Sequence, residues 1–526
     1  MNSSCRRSGA SEARTLALAT ALAVLTSIVT TLLLRPPPAT ESPAPGRRET
    51  SVPEAPAPAP AVIERADPGR DIEGEVPDAR DARKLYEFEI PDDAVAMEVT
   101  VESPDGDVDV AATFRGTPPE RDSDWDWHEH AEDSKAKLSL VRHADSDFRP
   151  GRLIVAAKAW SGAGHHGADH ALAFTLSTRL VRAAAPQPIE PGSGVDATTD
   201  PDAGHRRDFV IDVPKDAQTL RIDLVEADRD LDLLASSKGQ PFDFDTSQWS
   251  ARSALGRESL VIDVDSDPKL AAGQKLRFAV VDPSVYDAPV NFRVVVTLGT
   301  DPPAQALAFP DLPIPSDPRE LAVAAVVEIV VGGGTGSGTI VSEEGLVLTA
   351  RHVVGEFEGD GDDPITIALD LDPTRMTREL FHAKVVFADE SIDAAVLQIT
   401  TGIYGQRLPK GYRFPACPVA FDALPRLGDP LVTIGFPEPA GTGTRSPVMF
   451  SKGVVSGFER EKAGLRMKTD AFVASGSSGG AALDERWRLV GVPVFTIAET
   501  GGNAQTGFLV PVTELPRTWR ERLAAK

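Results

Sequence analysis

The sequence predicts an all-β protein with an apolar segment near its N-terminus. Two observations indicate this class. A segment in which apolar and polar residues alternate occurs twice in the first part of the chain, and a period of two is typical of half-buried strands. The last part is a series of apolar runs separated by glycine-rich turns. The chain has 526 residues, more than one hydrophobic core holds, so we expect about two to four domains.

An apolar segment of twenty residues near the N-terminus predicts a membrane anchor. Residues 15–34 carry no charge and follow Arg6, Arg7 and Arg14, and about 20 apolar residues suffice to span a bilayer. The basic residues place segment 1–14 in the cytoplasm. An uncleaved signal anchor in the inner membrane is favoured over a cleaved signal peptide, because the segment is longer than a typical signal core. The folded part is then expected on the periplasmic or extracellular side.

Three segments are predicted to connect the folded parts. Residues 35–77 are rich in proline and alanine and are expected to form an extended tether. Residues 183–206 form a second linker, and residues 301–318 form a third that is punctuated by proline. We expect few contacts to cross the proline-rich segments.

An internal repeat predicts two domains of the same kind. The stretch "YEFEIPDDAVAMEVTVESPDGDVDV" (86–110) aligns without a gap with "FVIDVPKDAQTLRIDLVEADRDLDL" (209–233). Apolar residues alternate in both stretches, further strand-like runs follow each, and helical periodicity is lacking. We therefore expect two tandem β-sandwich domains, at 78–182 and 207–300.

The two copies resemble the bacterial pre-peptidase C-terminal domain, a jelly-roll-like module that accompanies secreted proteases. The resemblance rests on an opening strand that ends in Pro91 or Pro214 and on the segments "GDVDV" and "RDLDL". It implies calcium binding by the clustered aspartates as one hypothesis, since carboxylates suit a hard cation. The other hypothesis, which we favour, is that these aspartates are turn and edge residues on solvated strands.

Histidines are concentrated in the first copy. They include His128, His130, His165, His166 and His170, a composition that raises the hypothesis of transition-metal binding. The corresponding part of the second copy lacks histidine, which argues against a function common to both copies. We expect solvated loop histidines, and the sequence predicts no metal site and no cofactor.

Charge and cysteine content exclude some classes of protein. The net charge is −25, whereas a nucleic-acid partner requires clustered lysine and arginine, so no nucleic-acid binding is expected. The cysteines are Cys5 and Cys417. The apolar segment lies between them, so we expect no disulfide framework. Cys417 is expected to be a small buried apolar residue.

The C-terminal domain, residues 319–526, contains three residues whose order suits acyl transfer. A hairpin leads to His352, Asp393 directly precedes an apolar strand, and Ser478 lies in the glycine-lined loop "ASGSSGG". In such a trio the serine attacks, the histidine takes its proton and the aspartate fixes the imidazole tautomer. The N–H groups of Gly476 and Ser478 are expected to form the oxyanion hole.

Four motifs give this domain a specific resemblance. They are "GSGTIVSEEGLVLTARHVV" around the histidine, "SIDAAVLQI" around the aspartate, "LGDPLVTIGFP", and "TDAFVASGSSGGAAL" around the serine. Residues 321–526 thereby resemble the chymotrypsin-like serine proteases of the HtrA type. The resemblance implies a double β-barrel and a triad of His352, Asp393 and Ser478. HtrA proteins are commonly trimers, but no trimerisation segment is recognisable, so the sequence leaves an oligomer open.

The domain departs from the HtrA pattern at several positions. Ser477 stands where the family usually has asparagine, Ser475 where it has proline, and Arg351 where it has alanine or asparagine. HtrA proteins generally continue into PDZ domains, whereas this sequence stops at Lys526, so regulation through a PDZ domain is not expected.

The resemblance also implies a substrate pocket. By the family alignment it is lined by Phe472, Val473, Ala474 and Val494. No carboxylate stands at the pocket base, so we expect small or medium apolar P1 residues rather than lysine or arginine.

The sequence therefore predicts a membrane-anchored serine endopeptidase that hydrolyses envelope or extracellular proteins through an acyl-enzyme intermediate. The expected partners are protein or peptide substrates and the inner membrane. The alternative is a catalytically inactive adhesion or scaffold protein that uses its β-sandwich repeats for binding.

Overall fold

The computed structural model describes residues 62–524 except for short gaps. These gaps are 79–81, 105, 120–121, 132–133, 145–147, 160–170, 240, 254–255, 333, 358, 360–363, 374, 438–446, 463 and 499–504. The predicted cytoplasmic segment 1–14 and the predicted anchor 15–34 lie outside the described residues. Within the part that is described, no helix combines the length and the hydropathy needed to cross a bilayer.

The first part of the fold is a pair of β-sheets. Its strands are β1 (Ile63–Ala66), β2 (Ile72–Pro77), β3 (Arg83–Ile90), β4 (Ala94–Glu102), β5 (Val108–Thr113), β6 (Trp127–Glu129), β7 (Lys135–Val141), β8 (Gly151–Ala159) and β9 (Ala171–Arg182). One sheet has the order β1-β3-β8-β5-β6 and the other has the order β2-β9-β4-β7.

A shared apolar core joins these two sheets. Met97, Val99 and Val101 alternate along β4 and are buried. They belong to the same apolar cluster as Phe88 and Val155 of the facing sheet. Because side chains alternate between the two faces of a strand, the period of two in the sequence selects the face that the core buries. Burial of each such side chain contributes about 1.5–3 kcal/mol.

A second pair of sheets follows. Its strands are β10 (Gln187–Pro188), β11 (Gly194–Thr199), β12 (Arg206–Asp212), β13 (Thr219–Ala227), β14 (Asp232–Ser236), β15 (Trp249–Ala251), β16 (Glu258–Asp263), β17 (Lys275–Val281) and β18 (Val290–Leu298). The orders are β10-β12-β17-β14-β15 and β11-β18-β13-β16. These orders correspond strand for strand to those of the first pair.

Parts of the predicted linkers are strands instead. β1 and β2 lie in the stretch 35–77, and β10 and β11 lie in 183–206. Each of the four stands at the edge of its sheet. An edge strand is paired on one side only and can keep much of its surface in water, so its composition need not show a clear apolar alternation. The sequence pattern therefore missed them.

Two closed barrels form the C-terminal part. The elements are α1 (Ala304–Leu307), α2 (Pro318–Ala325), β19 (Val326–Val331), β20 (Gly334–Ile340), β21 (Leu346–Thr349), α3 (Arg351–Val354), β22 (Ile365–Leu369), β23 (Arg378–Asp389), β24 (Ala394–Gly402), β25 (Pro430–Gly435), β26 (Met449–Glu461), β27 (Gly464–Thr469), β28 (Ala481–Leu483), β29 (Leu489–Ala498), β30 (Gln505–Pro511) and α4 (Arg517–Ala524). Strands β19–β24 close one barrel and β25–β30 close the other. The predicted all-β class and double barrel are confirmed.

The third predicted linker packs against the first barrel. The ring of Phe309 stacks on that of Phe381 with 5.9 Å between centroids, and the Tyr412 hydroxyl donates to the Pro310 carbonyl at 2.7 Å. The expectation that few contacts cross residues 301–318 is therefore wrong. The spacing of the prolines predicts an extended path. It gives no indication that the ring of Phe309 packs on the aromatic cluster of Phe381 and Tyr412.

The second sheet pair also contacts the first barrel directly. The N–H of Met376 donates to the Asp228 carbonyl at 3.2 Å, and the Arg375 guanidinium pairs with the Asp228 carboxylate at 3.2 Å. The Gly256 N–H donates to the Glu379 carboxylate at 3.1 Å. The second sheet pair therefore holds the loop before β23 and the start of that strand.

Candidate active site

His352 lies in the short helix α3, directly after β21. The buried Ala350 ends the barrel wall there, and the turn to helix lifts the next side chains out of the barrel. The His352 side chain is 49% exposed, so its ring faces solvent on one side while the backbone stays fixed to the first barrel.

Asp393 holds His352 with both carboxylate oxygens. Oδ2 lies 2.8 Å from His352 Nδ1, and Oδ1 accepts the His352 backbone N–H at 3.0 Å. An ionised carboxylate can only accept, so Nδ1 carries the proton and Nε2 keeps a free lone pair. This is the tautomer that a general base requires.

The backbone of Asp393 adopts an unusual conformation. Its φ is 56°, in the left-handed region that aspartate and asparagine tolerate better than most residues. The residue ends a turn, in which its N–H donates to the Glu390 carbonyl at 3.3 Å, and β24 begins at the next position. Strained backbone of this kind is frequent at functional sites.

The environment keeps the Asp393 carboxylate ionised. Burial by itself raises the pKa of this group, but the hydrogen bonds from the His352 ring and backbone, together with the charges of His352 and Arg466, lower the pKa below its ordinary value. A carboxylate that stays charged can stabilise the imidazolium that forms during acyl transfer.

Arg466 is a residue that the sequence analysis missed. It lies on β27 of the second barrel, is 7% exposed, and donates from Nη1 to the Ile392 carbonyl at 2.9 Å. Its Nε also pairs with Glu461 at 3.1 Å. Arg466 thus connects the second barrel to the turn that carries Asp393. The available signal was weak, because β27 also contains Lys468 and Thr469, so Arg466 does not stand out in the sequence.

Glycine permits the loop that carries Ser478. Gly476 and Gly479 have φ values of 83° and 86°, where a side chain is strained. A Cβ on Gly479 would lie 2.1 Å from the Ser337 carbonyl oxygen. The Ser337 side chain donates to the Gly476 carbonyl at 2.7 Å, and the Ser337 N–H donates to the Ser478 carbonyl at 2.8 Å. The serine loop of the second barrel is thereby fixed to β20 of the first.

The predicted oxyanion donors are free of protein acceptors. Among the described residues, neither the Gly476 N–H nor the Ser478 N–H makes a hydrogen bond, although the neighbouring N–H groups of Ser477, Gly479 and Gly480 all do. Unpaired N–H groups beside a nucleophile are the arrangement that binds a developing oxyanion.

The Ser478 hydroxyl is bonded to a backbone carbonyl. Its Oγ donates to the Val494 carbonyl at 3.1 Å, and the described contacts include no hydrogen bond between Ser478 and the His352 ring. The structure therefore joins His352 to Asp393 by hydrogen bonds and leaves the serine hydroxyl on the Val494 carbonyl. A rotation about χ1 turns this hydroxyl toward other acceptors, and such rotations are fast.

The predicted pocket residues have different environments. Phe472 is exposed and lines a small crevice beside Ser477, and Ala474 is half-buried. Val473 is 1% exposed, and its side chain packs where a Cβ on Gly507 would lie, so it offers a substrate no side-chain surface. Val494 is likewise buried, and its carbonyl accepts a hydrogen bond from Ser478.

The crevice has further walls that the sequence analysis missed. They come from β25, β26 and β29 and are Thr433, Ile434, Gly435, Met449, Ser451 and Pro493. None of these side chains is charged. Strands distant in sequence meet here only through barrel closure.

Comparison with known proteins agrees with this geometry. Residues 336–492, which include His352, Asp393 and Ser478, match the family model of the trypsin-like peptidase domain. The C-terminal part of the chain contains a trypsin-like peptidase domain. The match runs from β20 of the first barrel to β29 of the second, and the two sheet pairs lie outside it.

Curated relatives of the peptidase domain carry protease names. A probable periplasmic serine protease do/HhoA-like of Haemophilus influenzae is 34% identical over 34% of this chain and 34% of its own length. The Escherichia coli periplasmic pH-dependent serine endoprotease DegQ is 30% identical over 36% and 37%. The E. coli periplasmic serine endoprotease DegP is 32% identical over 34% and 33%. The chain spans about a third of the length of these relatives.

Proposed function

We propose that this chain is a serine endopeptidase in which Ser478 is the nucleophile, His352 the general base and Asp393 the residue that orients the histidine. The observation that carries the proposal is the bidentate hold of Asp393 on His352, with 2.8 Å between Oδ2 and Nδ1. The glycine loop with unpaired N–H groups supports it, as do relatives named as serine endoproteases.

The proposed reaction follows from the donors and acceptors of the site. Ser478 rotates from the Val494 carbonyl, passes its proton to His352 Nε2 and attacks the scissile carbonyl carbon. The carbonyl oxygen gains the negative charge and accepts from the N–H groups of Gly476 and Ser478. The imidazolium then gives its proton to the leaving amine, and water hydrolyses the acyl-enzyme by the same path.

The proposal extends to substrate and place. The uncharged crevice beside Ser477 favours small or medium apolar P1 residues. The apolar segment 15–34 anchors the chain in the inner membrane, with the barrels on the periplasmic or extracellular side, and the substrates are proteins of that compartment. The sheet pairs, as modules of the pre-peptidase type, act on location or substrate access.

A catalytically inactive scaffold is the second candidate function. The hydrogen bond from Ser478 to the Val494 carbonyl favours it, because a serine whose hydroxyl stays bonded there does not pass its proton to His352. In that case the sheet pairs would carry the function through binding.

Covalent labelling separates the two candidates. We expect a fluorophosphonate to modify the wild-type chain at Ser478, and we expect Ser478→Ala to abolish labelling and to lower kcat by about 10⁴–10⁶-fold. Ser475 is an exposed serine in the same loop, and the Ser475→Ala variant should be labelled as the wild type is. A folded wild-type chain that neither labels nor cleaves an unstructured protein would overturn the proposal.

A further inference from the structure

A second cluster of chemically active side chains lies far from the peptidase site in sequence, in the first sheet pair. Asp109 is on β5, His128 is on β6, and His130 follows β6 directly. The Asp109 Oδ2 atom lies 3.0 Å from His130 Nδ1 and 3.5 Å from His128 Nε2. One ligand atom from each residue lies within 4.8 Å of the other two. Three donors of metal-binding type therefore converge on one point.

The environment of His128 differs from that expected for a solvated loop histidine. Its side chain is 16% exposed, and its Nε2 atom is buried without a hydrogen-bond partner among the described residues. An imidazole nitrogen that is buried without a partner is available to bind a metal ion.

The position of Asp109 is fixed through its other carboxylate oxygen. Its Oδ1 accepts the Ala131 N–H at 3.0 Å, and its side chain is only 5% exposed. A hydrogen bond to one carboxylate oxygen orients the other oxygen, as is usual for carboxylates that bind metals. Oδ2 is the atom that faces both imidazoles.

The spacing of the donors fits a small transition-metal ion. Bonds of about 2.0–2.2 Å in a tetrahedral Zn²⁺ site place neighbouring ligand atoms roughly 3.3–3.5 Å apart, and the two distances to Asp109 are 3.0 and 3.5 Å. Two imidazole nitrogens disfavour Ca²⁺ and Mg²⁺, which take oxygen ligands. We propose that Asp109, His128 and His130 bind one divalent transition-metal ion of the Zn²⁺ class.

Solvent reaches the proposed site, since the His130 side chain is 65% exposed. The ion joins β5 to the end of β6, at the edge of the sheet. Its role is to stabilise this edge of the first sheet pair. It takes no part in the proposed peptidase reaction.

The second sheet pair supplies a natural comparison. Ala111 faces His128 in the register of β5 and β6, and Leu234 faces Ser250 in the register of β14 and β15. Asp232 thus corresponds to Asp109, and Arg252 to His130. The Arg252 Nε atom lies 3.9 Å from the Asp232 carboxylate. The second pair therefore places a side-chain cation beside the aspartate where the first pair has metal-binding donors.

Lys158 provides the competing explanation. It is buried and stands opposite Asp109 in the register of β5 and β8, so its ammonium lies on the same face of the sheet. In this alternative Lys158 compensates the carboxylate, and His130 forms only a hydrogen bond to it. The two explanations differ in whether the protein binds metal.

Metal titration of the full chain tests the proposal. The detergent-solubilised protein is stripped with a chelator and titrated with Co²⁺, read by its visible absorption, and with Zn²⁺, read by calorimetry and by Tm. We expect one equivalent bound, a Tm that rises with Zn²⁺, and an affinity at least about tenfold lower in His130→Arg. His130 is exposed, so this variant, which copies the second sheet pair, should fold.

A matched variant localises the binding. His165→Gln combined with His166→Gln removes a histidine pair from the same part of the chain and should leave one-equivalent binding unchanged. The proposal is overturned if the wild type shows no saturable binding, if His130→Arg binds as the wild type does, or if the His165–His166 variant loses the site. Asp109→Asn, which keeps shape and removes charge, should weaken binding as His130→Arg does.

Discussion

At the scale of single residues, one carboxylate sets both the orientation and the tautomer of His352. Asp393 accepts the ring Nδ1–H and the backbone N–H of the same residue. Its own position depends on a neighbour from the other barrel, because Arg466 holds the preceding carbonyl. The proposed general base is therefore positioned by residues from both barrels.

Asp393→Asn should lower kcat/KM by about 10³–10⁴-fold. An asparagine that donates through its amide favours the tautomer with the proton on Nε2, which cannot accept the proton of Ser478. Hydrolysis of an unstructured protein substrate measures the effect. Asp389→Asn changes a nearby aspartate that accepts from Ser391 and should leave kcat/KM unchanged. Equal losses in the two variants would contradict the assigned role.

Arg466→Met should lower kcat/KM by roughly 10–100-fold, because a charged hydrogen bond to a buried carbonyl contributes about 1.5–3 kcal/mol. Arg466 is a positioning residue, so kcat should fall while KM stays near the wild-type value. The loss of its positive charge favours the protonated form of the His352–Asp393 pair, so the acid limb of the pH profile should move to higher pH. Arg466→Lys should restore part of the activity. A variant that loses only thermal stability, with an unchanged pH profile, would make Arg466 purely structural.

At the scale of elements, the second sheet pair buries a carboxyl group on one of its strands. Glu258 on β16 is 6% exposed. Burial raises the pKa of its carboxyl to about 8; the hydrogen bond from Ser253 opposes the shift, and the charges of Asp232 and Asp230 add to it. The second sheet pair therefore contains a carboxyl group that is neutral in the fold at neutral pH.

This group predicts a stability that falls as pH rises. The folded-state pKa of about 8 lies above the ordinary 4.5, so the fold binds the proton more tightly than the unfolded chain does. The contribution is fully present below the ordinary pKa and is lost as pH rises through about 8. We expect Glu258→Gln to remove roughly 2–4 kcal/mol of this pH dependence between about pH 5 and about pH 8.

Chemical unfolding of the wild type and of Glu258→Gln at a series of pH values measures this difference. Glu190→Gln, an exposed position in the same sheet pair, should give a curve parallel to the wild type. Parallel curves for Glu258→Gln as well would show that Glu258 titrates normally in the fold.

At the scale of the whole molecule, the first barrel is supported by chain that precedes it. Phe309 stacks on Phe381, and the Pro310 carbonyl accepts from Tyr412. A fragment that begins at residue 301 should therefore be more stable than one that begins at 317, by about 1–3 kcal/mol, since the shorter fragment exposes this aromatic cluster. Thermal and denaturant unfolding compare the two fragments. Equal stability would mean that residues 301–316 only connect the two parts.

The sequence by itself determined the β class and the candidate peptidase residues, and its resemblance to HtrA-type proteases implied the double barrel. Alternation along β4 identified its buried face, because a strand repeats every two residues. The glycines around Ser478 identified the loop, because only glycine fits the conformation of Gly479 against the Ser337 carbonyl. In each case the information lies within a few neighbouring positions of the chain.

Tertiary structure alone decided what depends on residues distant in sequence. Arg466 reaches the Asp393 turn only because the two barrels meet, and the crevice walls come together only when β25, β26 and β29 close a barrel. The edge strands β1 and β11 form because a neighbouring strand offers free backbone groups, which no local pattern records. The convergence of His128 and His130 on Asp109 likewise requires the pairing of β5 with β6, and that pairing is a property of the fold.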